Sequence, residues 1–495
     1  MTGTINRRAL MGSAAAAACA GIAFKPAAAR AHDAFDGVDA VGQATLVRTK
    51  QATSLELVDA AIARIEAVNP KLNAVVTDMF EMARTRAKSA LPHSPLSGVP
   101  YLIKDLNGIA GVRTTSGSRF MAHNIATKTD LMPQKALDAG LVVVGKTNTP
   151  EFGLLATTES LELGACHNPW NLDRSTGGSS GGSASAVAAG LVPVAHASDG
   201  GGSIRIPASC CGVFGMKPSR GRMNFGAGEK MPGDIAVENC VSRTVRDSAM
   251  VFSLSEDTRA TAPLKPTGLV AGPAKQRLRI AFATASYYGT EPHPDVKASV
   301  DASAKLCESL GHRIVDAKNP VHGQAFIDAF LTVWASGPAE LVALARSKKV
   351  KPEDVFEPWT LELAEYFAKK PKDAMAKALA VFKETQAQVD AFFAQYDAWL
   401  TPVLTTPPIK LGEQAPTLDF KTLYNRVVHY VAYTPIHNVA GTPAMSVPLG
   451  MSKDNLPIGS QFAAARGRED ILYALAYELE TAQPWAGRMP PVFAG

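Results

Sequence analysis

Gly177-Gly178-Ser179-Ser180-Gly181-Gly182-Ser183 opens the stretch whose reading decides the fold, and Asp199-Gly200-Gly201-Gly202-Ser203-Ile204-Arg205-Ile206-Pro207 closes it. Between the two clusters lie an alanine-rich helical segment and an apolar run over 191–195, so glycine loop, helix, strand and glycine loop follow one another. Further apolar runs at 99–103, 141–144 and 213–216 read as short strands, with a helical pattern between the first two. Strand, helix and strand return at 278–282, 294–310 and 312–315, and two strands at 443–449 and 458–463 precede a helix over 469–480. Strands alternating with helices predict an α/β protein whose sheet is covered on both faces. Thr53 and Glu56 form a capping box before Leu57, Val58, Ala61, Ile62 and Ile65, and Asn69-Pro70 is expected to end that helix. Residues 322–395 read as mostly helical, and their Phe326, Phe330, Trp334, Trp359, Tyr366 and Phe367 suit either helix packing or the lining of a pocket. No internal repeat is present, and no linker divides the chain.

The composition, 46% hydrophobic and 19% charged over 495 residues, is that of a globular enzyme. Arg7, Arg8, Lys25 and Arg30 supply four of the five net positive charges within a start that lacks Asp and Glu, leaving +1 for the rest. A near-neutral body gives no electrostatic ground for nucleic acid or an anionic membrane as partner. Arg7-Arg8, the alanine-rich apolar run 9–24 and Ala29-Arg30-Ala31 read as an export signal over 1–31 with its cleavage site. The paired arginines resemble a twin-arginine signal, which predicts a periplasmic or secreted protein free of the membrane once the signal is removed. No later stretch reads as a membrane span. The cysteines Cys19, Cys166, Cys210, Cys211, Cys240 and Cys307 are scattered and become five without the signal, so they do not form a disulfide framework. The absence of C-x-x-C and H-E-x-x-H pairs predicts no metal and no cofactor.

Glycine lets main-chain N–H groups face a ligand closely, so either cluster suits a phosphate or an oxyanion. Neither cluster is followed by the lysine-hydroxyl pair of a phosphate loop, and a flexible linker is not usually embedded between apolar runs such as 192–195 and 204–207. If Ser203 is a nucleophile it needs a base, and two candidates stand out. His196 and Asp199 are near in sequence, but no G-x-S-x-G elbow surrounds Ser203, and His196 falls within a strand, where it reads as a core residue. Lys104 ends the apolar run 99–103, where burial would lower its pKa and let it accept a proton; a partly exposed lysine at a strand end is the plainer reading.

Gly98-Val99-Pro100-Tyr101-Leu102-Ile103-Lys104-Asp105 resembles the catalytic-lysine motif of the amidase signature family. Gly145-Lys146-Thr147-Asn148-Thr149-Pro150-Glu151-Phe152 resembles its next block, and the two glycine-serine clusters resemble the signature itself. The spacings, 75 residues from Lys104 to Ser179 and 24 from Ser179 to Ser203, agree with it, and the resemblance resumes at His437-Asn438-Val439-Ala440-Gly441-Thr442-Pro443-Ala444. It implies one large domain over 32–495, built on a central mixed, twisted sheet covered by helices on both faces. It also implies a Ser-Ser-Lys triad. Ser203 would attack the carbonyl carbon, and Ser179, following a cis peptide after Gly178, would relay its proton to neutral Lys104. The N–H groups of Gly200, Gly201, Gly202 and Ser203 would form the oxyanion hole. Asp199 and Arg205 would brace the loop as an ion pair, while Ser180 and Ser183 read as structural.

The implied activity is hydrolysis of an amide bond through an acyl-enzyme. Gly145 to Phe152, Asn168-Pro169-Trp170-Asn171 and Thr434-Pro435-Ile436-His437-Asn438 most resemble the branch containing 6-aminohexanoate cyclic-dimer hydrolases. Shared motifs transfer a reaction better than a substrate, so cyclic and linear aliphatic amides, aryl acylamides, carbamates and esters all stay open. The pocket is expected in the segment 322–395, with Trp334 and Phe330 as its candidate lining. A transamidating subunit fits the motifs but not an export signal, and an exported anion-binding protein is the reading from a different class. The expected partner is a small-molecule amide, with room for a homodimer.

Overall fold

The computed structural model describes residues 34–223, 232–321 and 323–494. The export signal expected over 1–31, Cys19, and His322 at the head of the helical segment lie outside the described residues.

Eleven strands form one sheet: β1 (Val75–Asp78), β2 (Pro100–Lys104), β3 (Val142–Thr147), β4 (Val194–Asp199), β5 (Phe214–Lys217), β6 (Val237–Ser242), β7 (Arg279–Phe282), β8 (Arg313–Asp316), β9 (Ala398–Pro402), β10 (Ala444–Met451) and β11 (Pro457–Ala463). Across the sheet the order is β1-β3-β2-β4-β6-β5-β10-β11-β9-β7-β8. Parallel pairs such as β2 with β3 and β7 with β8 are joined by antiparallel ones, so the sheet is mixed as expected.

Alternation along the strands builds a core on each face. Leu102 of β2 packs with Val142 and Val144 against Val58, Ala61, Ile62 and Ile65 of helix α1 (Ser54–Leu72), whereas its neighbours Tyr101 and Ile103 join Leu96, Val99 and Val251 in a separate core. In the far half, Ile280 and Leu400 face a core with Val296, Val300, Leu472 and Leu475. Ala281 and Trp399 face the opposite one, with Phe326, Ile327, Phe382 and Val389. The seven helices that matter for the site are α2 (Gly181–Ala188), α3 (Arg205–Cys211), α4 (Gln324–Ser347), α5 (Pro358–Ala368), α6 (Ala374–Phe393), α7 (Phe420–Tyr430) and α8 (Pro435–Ala440).

The Thr53–Glu56 capping box forms at the head of α1, but the helix does not stop at Asn69-Pro70. It runs to Leu72 with Pro70 inside it and is capped by Asn73 at φ +50°. The Asn69 side chain accepts from the N–H groups of Ala74 and Val75 and donates to the Val75 carbonyl, so it directs the exit into β1. The strand expected over 191–195 lies instead at Val194–Asp199, while β1, β6 and β9 arise where no strand was expected. Helix α4, at 24 residues, is long and apolar enough to cross a membrane by length and composition, against the sequence expectation. In the fold, its Phe326, Ile327, Ala329 and Val333 pack with Ala378, Phe382 and Val389 of α6.

Candidate active site

Pairing of β2 with β4 aligns Leu102 with Ala195 and so carries Lys104 alongside the end of β4. Lys104 is fully buried and its Nζ donates to Ser179 Oγ at 2.6 Å and to Ser198 Oγ at 3.0 Å. Burial lowers its pKa to about 7, even though the charges of Asp199 and Glu238 pull the other way. Ser179 stands at the head of α2 after a cis Gly178–Ser179 peptide. At Gly178 a Cβ would come within 2.4 Å of the Thr157 carbonyl oxygen, so no side chain fits there.

The second cluster turns from β4 into α3 around Asp199. That carboxylate takes Arg205 Nη2 at 2.9 Å and Nε at 3.0 Å, the N–H of Gly202 at 2.8 Å and that of Ile204 at 3.2 Å. Burial would raise the Asp199 carboxyl, but the paired Arg205 guanidinium, with Lys217 and Asn438, holds it well below the usual carboxylate range. Arg205 also donates to the Thr434 carbonyl, Gln461 and Asn438, and Asn438 Nδ2 returns to Asp199. Thr434 Oγ1 donates to the Gly201 carbonyl at 2.6 Å.

Of the four N–H groups expected at an oxyanion hole, that of Gly202 donates to Asp199 and braces the loop. Gly202 itself sits at φ +134°, where a Cβ would fall 2.3 Å from Thr434 Oγ1. The N–H groups of Gly200, Gly201 and Ser203 have no acceptor among the described residues.

His196 is buried on β4, where its Nδ1 accepts from the Lys104 main-chain N–H at 3.4 Å. Its Nε2 lies 3.7 Å from Glu238, beyond hydrogen-bond reach, and it makes no hydrogen bond with Ser203 among the described residues. Ser183 bonds the His196 carbonyl and Thr147, and Ser180 bonds the main chain of Ser198. Two other lysines are as deeply buried: Lys146 pairs with Asp105 at 2.8 Å, and Lys217 donates to the Pro218 carbonyl.

A family model described as Amidase matches residues 56–472. The chain belongs to the amidase signature family. A 6-aminohexanoate-cyclic-dimer hydrolase of Paenarthrobacter ureafaciens is 37% identical over 484 residues, covering 91% of this chain and 96% of the relative. The solved structure of a 6-aminohexanoate cyclic dimer hydrolase complexed with substrate superposes with a TM-score of 0.86 at 35% identity, over 92% of this chain and 99% of that one. That of a bacterial aryl acylamidase of the amidase signature family gives 0.81 at 27% identity, over the same shares. This protein is therefore an amidase, an amide hydrolase.

In this amidase a pocket opens beside Ser203, Gly178 and Gly201. Its lining includes the expected Phe330 and Trp334, together with Phe326 and Trp359 of the helical segment. Tyr366 and Phe367 pack instead in the core around Phe420 and Tyr424. The opposite wall comes from Tyr287 and from Tyr424, Val427 and Val428 of α7, which sequence reasoning missed. Ser198, Glu238, Thr434 and Gln461 were missed as site residues too. Thr434 lay inside a block that had been singled out; the other three reach the site through strand pairing and leave no local signal.

Behind the wall, Glu151 accepts from Ser118 Oγ, Thr360 Oγ1 and the Glu357 N–H. Glu357 accepts from the Leu161 N–H, and burial next to Glu151 pushes its carboxyl up to about 8. Cys166, Cys210, Cys211, Cys240 and Cys307 are all buried free thiols.

Proposed function

We propose that this amidase hydrolyses its amide through an acyl-enzyme on Ser203, with Ser179 as proton relay and Lys104 as base. The carrying observation is the 2.6 Å contact from Lys104 Nζ to Ser179 Oγ, made by a lysine held near neutrality by burial. Ser203 Oγ attacks the carbonyl carbon as its proton passes to Ser179, whose own proton passes to Lys104. The oxyanion that forms is met by the N–H groups of Gly200, Gly201 and Ser203. Collapse breaks the C–N bond while the relay runs in reverse and protonates the leaving amine; water, activated by the same relay, then releases the acid and restores Ser203. Asp199 and Arg205 hold the loop and touch no reacting atom.

Lys104→Ala is expected to lower kcat by roughly 10²–10⁴-fold in a protein that still folds, measured by amine release with circular dichroism as the folding check. A folded variant within tenfold of the parent would show that another base works. The relatives make cyclic amides and aryl acylamides the first substrates to screen, with carbamates and esters behind them. We further propose that the enzyme is exported, a reading supported by Arg7-Arg8 and the apolar run after them.

A further inference from the structure

Beyond the glycine loop and Ser203, the walls of the pocket offer little free polarity. No Lys, Arg, His, Asp or Glu lines it. The indole N–H groups of Trp334 and Trp359 are both spent on one acceptor, the Leu154 carbonyl, at 3.3 and 3.4 Å. The Tyr287 hydroxyl donates to the Val431 carbonyl at 2.8 Å. Among the aromatic walls, only the Tyr424 hydroxyl is loosely held, 3.5 Å from Gln324 Nε2.

The walls are also flat where they approach the reacting backbone. Phe330 and Trp334 stack at 5.5 Å with 21° between their planes. A Cβ built on Gly201 would lie 3.1 Å from the Phe330 ring, and one on Gly200 3.2 Å from the Trp334 ring. The glycine loop next to Ser203 is thus approached closely by both rings. A group attached directly to a scissile amide held beside Gly200 and Gly201 meets those rings.

We propose that the substrates of this amidase are uncharged amides whose pocket-filling group is an aryl or alicyclic ring, and that an ionised substituent on that group excludes them. The inference rests on the Ser203 reading of the site and narrows it. Entry of a carboxylate or ammonium would strip its water and return no counter-charge, because no wall residue is ionised and the indole N–H groups and the Tyr287 hydroxyl are already bonded. An uncharged ring loses little water and gains stacking and apolar burial. The same logic separates a cyclic amide from its linear counterpart, since opening a lactam-type ring creates an ammonium and a carboxylate.

The test compares kcat/KM of the purified enzyme on two para-substituted series, anilides with the ring on the amine side and benzamides with it on the acyl side. Each series carries methyl, carboxylate and trimethylammonium substituents. Where a series is turned over, the methyl member is expected to exceed both ionised members by about 10²-fold. An ionised member within tenfold of the methyl one, or above it, overturns the proposal. Parallel labelling by a small fluorophosphonate keeps the two readings apart. A labelled Ser203 with no turnover of either methyl member overturns the substrate proposal alone, whereas an enzyme that neither labels nor turns over has lost the Ser203 reading itself.

Discussion

Lys104 and Lys217 are both fully buried and burial lowers both to about 7, yet their surroundings give them different work. Lys217 donates to a main-chain carbonyl, whereas Lys104 ends against two hydroxyls, one of them on Ser179, next in the chain to Gly178 of the pocket lining. If Lys104 acts as base it has to be neutral, so kcat/KM should fall as pH drops through about 7 and level off above it. Glu238 stabilises the charged form of Lys104, so Glu238→Gln should move that acid limb to lower pH; an unmoved limb would place the titrating group elsewhere. Pairs of pH profiles on one substrate check both points. Lys104, Ser179 and Ser203 stood out as candidates because each sits in a contiguous motif whose residue types are costly without a task, and the fold brings the first two to 2.6 Å. Ser198 and Glu238 were not, because they meet Lys104 only through pairing of β2 with β4 and of β4 with β6. The bond from the Gly202 N–H to Asp199 was not legible for a related reason: sequence shows three glycines but not that the Asp199 carboxylate takes the N–H of the third.

Among the elements, the helical segment after β8 was legible as helix but not as wall. Phe326, Phe330 and Trp334 recur at helical spacing, and only the fold shows that this face of α4, besides packing on other helices, lines the pocket beside the glycine loop. Helix α7 could not be foreseen as the other wall, since its buried and cavity-facing residues look like ordinary amphipathic packing. Asn69-Pro70 misled because its stop signal competes with a side chain that organises the turn two residues later. The Glu151–Glu357 pair ties the loop beside Ser179 to α5, which carries Trp359. A carboxyl raised in the fold contributes stability that is full below its unfolded pKa and is lost as pH rises through its folded one, here about 8. Glu357→Gln keeps the acceptor for Leu161 and removes the titration. Its melting temperature should therefore rise relative to the parent at pH 8 by on the order of 2 °C, with the gain shrinking toward pH 5. Calorimetry at the two pH values checks this, and a variant less stable at pH 8 would contradict it.

For the whole molecule, alternation of apolar runs with helical patterns sufficed for an α/β fold with a sheet covered on both faces. It did not yield the strand order, because β10 and β11 insert between β5 and β9 and close the sheet across more than two hundred residues of chain. The three strands that escaped notice are short or carry polar residues, as Glu238 and Asn239 do within β6. The proposed export is testable at this scale: replacing Arg7 and Arg8 together by lysine should leave the full-length, active enzyme in the cytoplasmic fraction, and unchanged delivery outside it would refute a twin-arginine route. Every part of the account converges on one oxygen atom, the Ser203 hydroxyl. Peptide mapping by mass spectrometry after reaction with a fluorophosphonate tests it most directly: a single adduct on Ser203, absent from a folded Ser203→Ala variant, is the predicted result, and labelling that survives that substitution would contradict it.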